Sequence, residues 1–373
     1  MDEGFCHQIV DTFAVVGTSD PSWTEKVCAM AAARDGSLQL GFGLGKYPNR
    51  NVIDAYAGIS RGVEQRTVRA SRSLAPEPTV TTIGPIRYEI VEPLSSVRFV
   101  LEPNEIQPIA FDWLFHGVLP PAFEDRTHMR SGLRVSAELA RYHQIGVCSG
   151  WVEVDGVRTE VTPDSWVSTR DHSWGVRYGV GKPVSDGEPT QPMGNFHFFW
   201  TPSYLERADG SAYGIFMVFN HSTRPGLDHK ETWGTIEHPD GSVERMVDIT
   251  PELTYDPANR RLRGGRVHCR MQDGSTRTLQ VEVVSDTGFH LGTGLYFGFD
   301  DHYHGEWRGA EHTDGELIED CSAPDTARRV HQIRDTVVRI TDPVGGGVGW
   351  GNWQPIASGE FPELGLTAES SFI

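Results

Sequence analysis

Asp-Gly pairs at 155–156, 209–210, 240–241 and 273–274 punctuate runs rich in β-branched and aromatic residues. Asp-Gly tolerates the positive φ of a tight turn, so each pair joins two neighbouring antiparallel strands. Asp155-Gly156 is the strongest such signal, between the alternating runs 150–154 and 157–161. The other three follow one another at about thirty residues, which predicts a meander of hairpins; no motif recurs with that spacing, so a solenoid is not expected. Short alternating runs at 36–44, 52–59, 66–72, 86–92, 97–102 and 109–117 extend the pattern. Gly 41 and Pro 23 are spread along the chain, as many short strands require. Helical periodicity is confined to 22–33 and 134–144, which are expected to be short helices. The expected class is all-β.

The chain has 373 residues, enough for two domains, and 10% aromatic content supplies a core although only 38% is hydrophobic. A stretch rich in Gly, Pro, Asp and Ser at 180–194 reads as a boundary or a long loop, which predicts β-domains at 1–180 and 181–373. A net charge of −18 disfavours nucleic acid and anionic membranes as partners. Five cysteines lie far apart without Cys-x-x-Cys spacing, so neither a disulfide framework nor a structural zinc site is expected. The start Met-Asp-Glu-Gly is unlike a signal peptide and no run is apolar enough to span a membrane; a cytoplasmic protein is expected.

Residues 169–177, Thr-Arg-Asp-His-Ser-Trp-Gly-Val-Arg, hold the densest chemistry in the chain. If 166–173 is a strand, alternation sends Arg170 and His172 to one face and Asp171 and Ser173 to the other. Asp171 and His172 then cannot act on one atom, and one of them is structural. The plainer reading is a buried polar knot in which Arg170 or Arg177 pairs with Asp171. His302 and His304 have the spacing of two ligands on one strand face, with Glu306 or His312 in reach, but a third ligand is not clear and no metal is expected. His197 stands in an apolar run, where a lone histidine is usually a satisfied core residue; His143 has no local partner. The tract 344–351 lacks the ending of a phosphate loop, and no Gly-x-Ser-x-Gly elbow is present.

The segment Arg170-Asp171-His172-Ser173-Trp174-Gly175 resembles the hallmark of a family of tandem lipocalin-like proteins. The hairpin around Asp155-Gly156 and the turn Leu44-Gly45-Lys46-Tyr47-Pro48-Asn49 belong to the same resemblance, which spans most of the chain from Ser22 onward. The group includes AttH-like proteins, carotenoid 1,2-hydratases and lipocalin-like Diels–Alderases. The resemblance implies two consecutive β-barrel-like domains packed side by side, with an apolar pocket inside or between them and no cofactor. It implies that Asp171 matches the acid with which the hydratases protonate a carbon–carbon double bond. Thr169, and His143-Gln144-Ile145 in place of a His-x-Trp pair, depart from the hydratase pattern.

The function expected from these features is a cofactor-independent lyase or isomerase. It would hydrate, dehydrate or move a double bond in a hydrophobic terpenoid-, steroid- or aromatic-like molecule. Asp171 would be the acid, with His172 or His143 as base; Trp174, Trp200, Trp151 and His197 would line the substrate, and Arg170, Arg177 and Gly175 would be structural. Two alternatives are a non-catalytic carrier of a hydrophobic metabolite and a pericyclase-like template. Self-association as a homodimer is left open.

Overall fold

The computed structural model describes residues 15–185, 187, 194–330 and 333–371. Among them are twenty-five strands and one α-helix, Pro324–Val330. The strands form two antiparallel sheets.

The second sheet closes. Ser203–Arg207 pairs with Gly347–Trp353 on one side and Ala212–Arg224 on the other, completing a ring of eight strands. Its interior is filled by Phe199, Ile215, Met217, Ile249, Val267 and Trp353. The first sheet curls without closing, from Glu311–Ile318 at one edge to Thr82–Ile83 at the other. Phe42, Phe99, Phe111, Trp113 and Phe115 pack in its concave face. This is a pair of lipocalin-like units. They are stitched together, because 311–318, from beyond the barrel's first strands, adds to Glu64–Ser73 of the curled sheet.

The Asp-Gly turns are where the sequence predicts them. Asp155 and Gly156 both have positive φ, 53° and 76°, and join Val154 directly to Val157. At the other three pairs the aspartate Oδ1 instead accepts from the backbone N–H two residues on, in Ser211, Ser242 and Ser275.

Both expected helices are strands. Residues 22–33 form Trp23–Ala33, and residues 134–144 begin the twenty-one-residue strand Arg134–Val154. The first has both faces covered. Val27, Ala29, Ala31 and Ala33 enter the curled sheet's core, while Lys26, Met30 and Ala32 are buried against the other unit. A strand buried on both faces loses its polar alternation, and its alanines then imitate a helix. Sheet pairing on both sides overrides the helix propensity of the Ala-Glu-Leu-Ala-Arg run at 137–141 in the second.

Trp166–Val176 lies between these two strands, and its register builds the site. Cys28, Asp171 and His143 stand in one row across the sheet, and Lys26, Ser173 and Arg141 in the next. Gly175 allows the close approach that holds this register. Its φ is +131°, and a Cβ there would lie 2.0 Å from the Glu138 carbonyl oxygen. Gly175→Ala is therefore expected to cost about 2–4 kcal/mol through strain and overpacking. A urea midpoint equal to wild type would contradict this.

Candidate active site between the two units

The convex face of the curled sheet meets the outside of the barrel, and a cleft opens between them. Its sheet wall carries Asp171, Arg141 and Arg177. Its barrel wall carries Phe196, Phe198 and Trp200, alternate residues of Asn195–Trp200. Tyr296, Phe297 and His304 close one end, with Ile333, Gln354 and Ile356 beneath. Phe196 stacks on Phe198 at 5.6 Å, and Tyr178 on Phe297 at 5.8 Å at the rim. The cavity measures about 110 Å³. That is several times the roughly 10–15 Å³ that a single water needs.

Asp171 contributes a carboxyl to this aromatic surface. Burial raises its pKa above the ordinary carboxylate value, against the opposing pull of Arg141 and Arg177. Arg141 Nε lies 3.5 Å from Asp171 Oδ2, and Arg141 Nη1 lies 3.5 Å from Glu124 Oε2. Glu124 Oε1 accepts from Trp200 Nε1 at 2.9 Å and from His143 Nδ1 at 3.2 Å. His143 Nε2 in turn meets Glu237 Oε1 of the barrel at 2.8 Å. A chain of alternating charge thus runs from the barrel, through the interface, to the cleft. His143 is 1% exposed and stacks on Phe216 at 3.7 Å. Burial alone would lower its pKa, but Glu237 and Glu124 outweigh it and raise the value to about 9.

A second polar cluster backs the opposite end. Lys26 Nζ lies 2.7 Å from His304 Nε2 and 4.0 Å from the centre of the Tyr296 ring. The ammonium donates, so Nε2 accepts and the imidazole proton sits on Nδ1, the side of Asp54. Burial, reinforced by Lys26, pulls His304 down to about 4, and burial pulls Lys26 down to about 8. At neutral pH His304 is therefore a neutral ring in the cleft wall. Beneath Gln354, which donates to Asp335 Oδ1 at 2.8 Å, burial pushes Asp335 up to about 7.

A family of unknown function, DUF8625, matches residues 1–352. The chain belongs to that family. No curated protein matches its sequence. Among solved structures, an AttH-like protein from Nitrosomonas europaea superposes with a TM-score of 0.53 at 11% identity, over 89% of this chain and 91% of that one. CghA superposes at 0.51 and 10% identity, over 90% and 88%. Kievitone hydratase from Nectria haematococca aligns at 0.44 and 10% identity, over 92% and 93%. The first two carry the assignment of this DUF8625 chain to the tandem lipocalin-like fold, and identities this low speak for fold alone.

Of the residues singled out in the sequence, Asp171, Trp200 and Arg177 line the cleft, and His143 lies one layer behind it. His172 projects from the opposite face, where Nε2 meets Glu25 at 2.9 Å and Nδ1 meets the Tyr142 hydroxyl at 3.2 Å. Trp174 packs edge-on to His172 on that same face. Arg170 does not pair with Asp171. It points the other way, giving Nε and Nη2 to Gln144 Oε1 and Nη1 to Tyr142. Arg177 donates to Ser173 Oγ. His197 alternates away from Phe196 and Phe198 into the barrel, where its Nε2 meets the Tyr255 hydroxyl at 2.9 Å. Trp151 lies under Arg158, ten positions from Arg141 and so about 33 Å along the strand.

His302 and His304 separate: His302 meets Glu306, while His304 turns inward. Among the described residues no cluster of His, Cys, Asp and Glu could hold a metal ion. No helix among them is long and apolar enough to cross a membrane. Seven of the fifteen residues of the expected loop at 180–194 fall outside the described residues, and its start is tied to the cleft by Gly181 N–H donating to the His304 carbonyl. Arg141, Glu124, Glu237, Lys26 and Tyr296 carried no local signal in the sequence.

Proposed function

We propose that this cleft is the active site of a cofactor-independent lyase or isomerase, with Asp171 as the general acid. The observation that supports it is a carboxyl held by burial in its protonated direction opposite an aromatic wall. Its substrate is a small hydrophobic molecule with an alkene or allylic alcohol. Asp171 delivers its proton to one alkene carbon as the π bond breaks, leaving a cation on the other. The faces of Trp200, Phe196 and Phe198 stabilise that cation. Arg141 and Arg177 stabilise the carboxylate left behind. Water adds to the cation and returns a proton to Asp171, which is hydration; the reverse is dehydration. Loss of a proton from the adjacent carbon instead moves the double bond. His304 and Tyr296 line the same space.

A carrier would be better served by a wall without ionisable groups, since each buried charge costs desolvation that an apolar cargo does not repay. The test is incubation in D2O with a panel of aryl alkenes and allylic alcohols, read by mass spectrometry. Hydration and double-bond migration place solvent deuterium on carbon, and dehydration removes the mass of one water; the expected result is one of these changes in at least one compound. Absence of both label and water loss throughout, with compounds shown to bind, would favour a carrier or template.

A further inference from the structure

Arg177 is the cation in this cleft without a carboxylate. Arg141 is shared between Asp171 and Glu124, and Lys26 sits with His304 and Asp54. Arg177 gives one N–H to a hydroxyl, Ser173 Oγ, and its buried Nε has no partner. No carboxylate of the described residues lies within 4 Å of it in an ion pair, yet it lines the cavity opposite aromatic rings. A partly buried guanidinium with open donors beside an apolar wall matches a planar acid: the fork takes the two oxygens and the rings take the hydrocarbon.

We infer that the ligand of this cleft is a small aromatic or conjugated molecule bearing a carboxylate or comparably acidic oxygen, which Arg177 binds beside Asp171. This rests on the cleft being the ligand site of the proposed function and names its substrate class. It also removes a difficulty in that function, since a carbocation next to an unpaired guanidinium is disfavoured and an anionic substituent offsets the repulsion.

A consequence is coupling between ligand and proton. The titratable groups that act on Asp171 are Arg141 with Glu124 behind it, Arg177, Cys28 beside it on the neighbouring strand, Tyr296, and more distantly Lys26 and Asp335, with His172 acting from the opposite face. A ligand carboxylate at Arg177 adds a negative charge and diverts the guanidinium, so Asp171 takes up a proton on binding and becomes the acid that the reaction needs.

Titration calorimetry on the full chain with trans-cinnamate and its neutral analogue cinnamamide tests this at pH 6.5 in two buffers of different ionisation enthalpy. Cinnamate is expected to bind at least tenfold more tightly and with proton uptake. Arg177→Gln should abolish the preference by weakening cinnamate, and retained binding of cinnamamide reports that the cleft is intact. Arg177→Lys should keep most of the preference. Asp171→Asn should bind cinnamate without proton uptake. Equal affinities in the wild type, a preference that survives Arg177→Gln, or failure of both probes to bind at millimolar concentration would overturn the inference. Because these are binding measurements, they can fail while the deuterium assay succeeds, and the reverse.

Discussion

Asp171→Asn is expected to lower turnover by about 10²- to 10⁴-fold, the usual contribution of a positioned acid. The substitution keeps the shape of the side chain and removes the transferable proton. It should spare the fold, because Arg141, 3.5 Å from Asp171, retains Glu124 at the same distance. The pH dependence follows in sign from the burial of Asp171. Its pKa is raised from 3.8, so the acid form persists to higher pH than in a solvated carboxyl. Turnover is therefore highest on the acid side and declines as pH rises through that raised value. His172→Ala, on the far face of the sheet, should leave the same assay within about tenfold of wild type. Deuterium incorporation at several pH values, beside a thermal melt of each variant, measures all of this. An asparagine variant retaining more than a tenth of wild-type turnover would remove Asp171 from the role of acid.

What the sequence disclosed about this site was set by alternation. The run 166–173 was legible as a strand, and its period of two correctly separated Arg170 and His172 from Asp171 and Ser173. The hairpins were legible because Asp-Gly has a local conformational meaning. The partner of Asp171 was not. Arg141 stands two positions from His143, so a strand reading of 134–144 would have put both on one face. Strong helix formers there hid it. Lys26 was hidden in the same way, in an alanine-rich strand covered on both faces. Glu124 and Glu237 meet His143 across nineteen and ninety-four positions, and no local pattern records such an encounter. His304 drew notice as a metal ligand beside His302. Its neighbours instead have positive φ at Asp300, Asp301 and Gly305, which breaks the strand that the His-x-His spacing assumed.

His143→Ala is expected to destabilise the protein by about 3–5 kcal/mol, as loss of one member of a buried ionic group does. The cause is Glu237, 4% exposed, whose Oε1 keeps only the Thr235 hydroxyl and whose buried Oε2 has no partner already. Glu124 suffers less, since it retains Arg141 and Trp200. Adding Glu237→Gln to His143→Ala should therefore restore a substantial part of the loss, by removing the orphaned charge. The linkage has a definite sign. His143 rises from 6.5 unfolded to about 9 folded, worth about 3 kcal/mol at roughly 1.4 kcal/mol per pH unit. A raised cation contributes fully below pH 6.5, and its contribution is lost as pH climbs through about 9. The stability gap between wild type and His143→Ala should accordingly be wide at pH 6 and narrow by pH 10. Denaturant unfolding of the two proteins at both pH values decides it: a gap independent of pH would mean that His143 acts by packing on Phe216 and not as the charge that joins the two units.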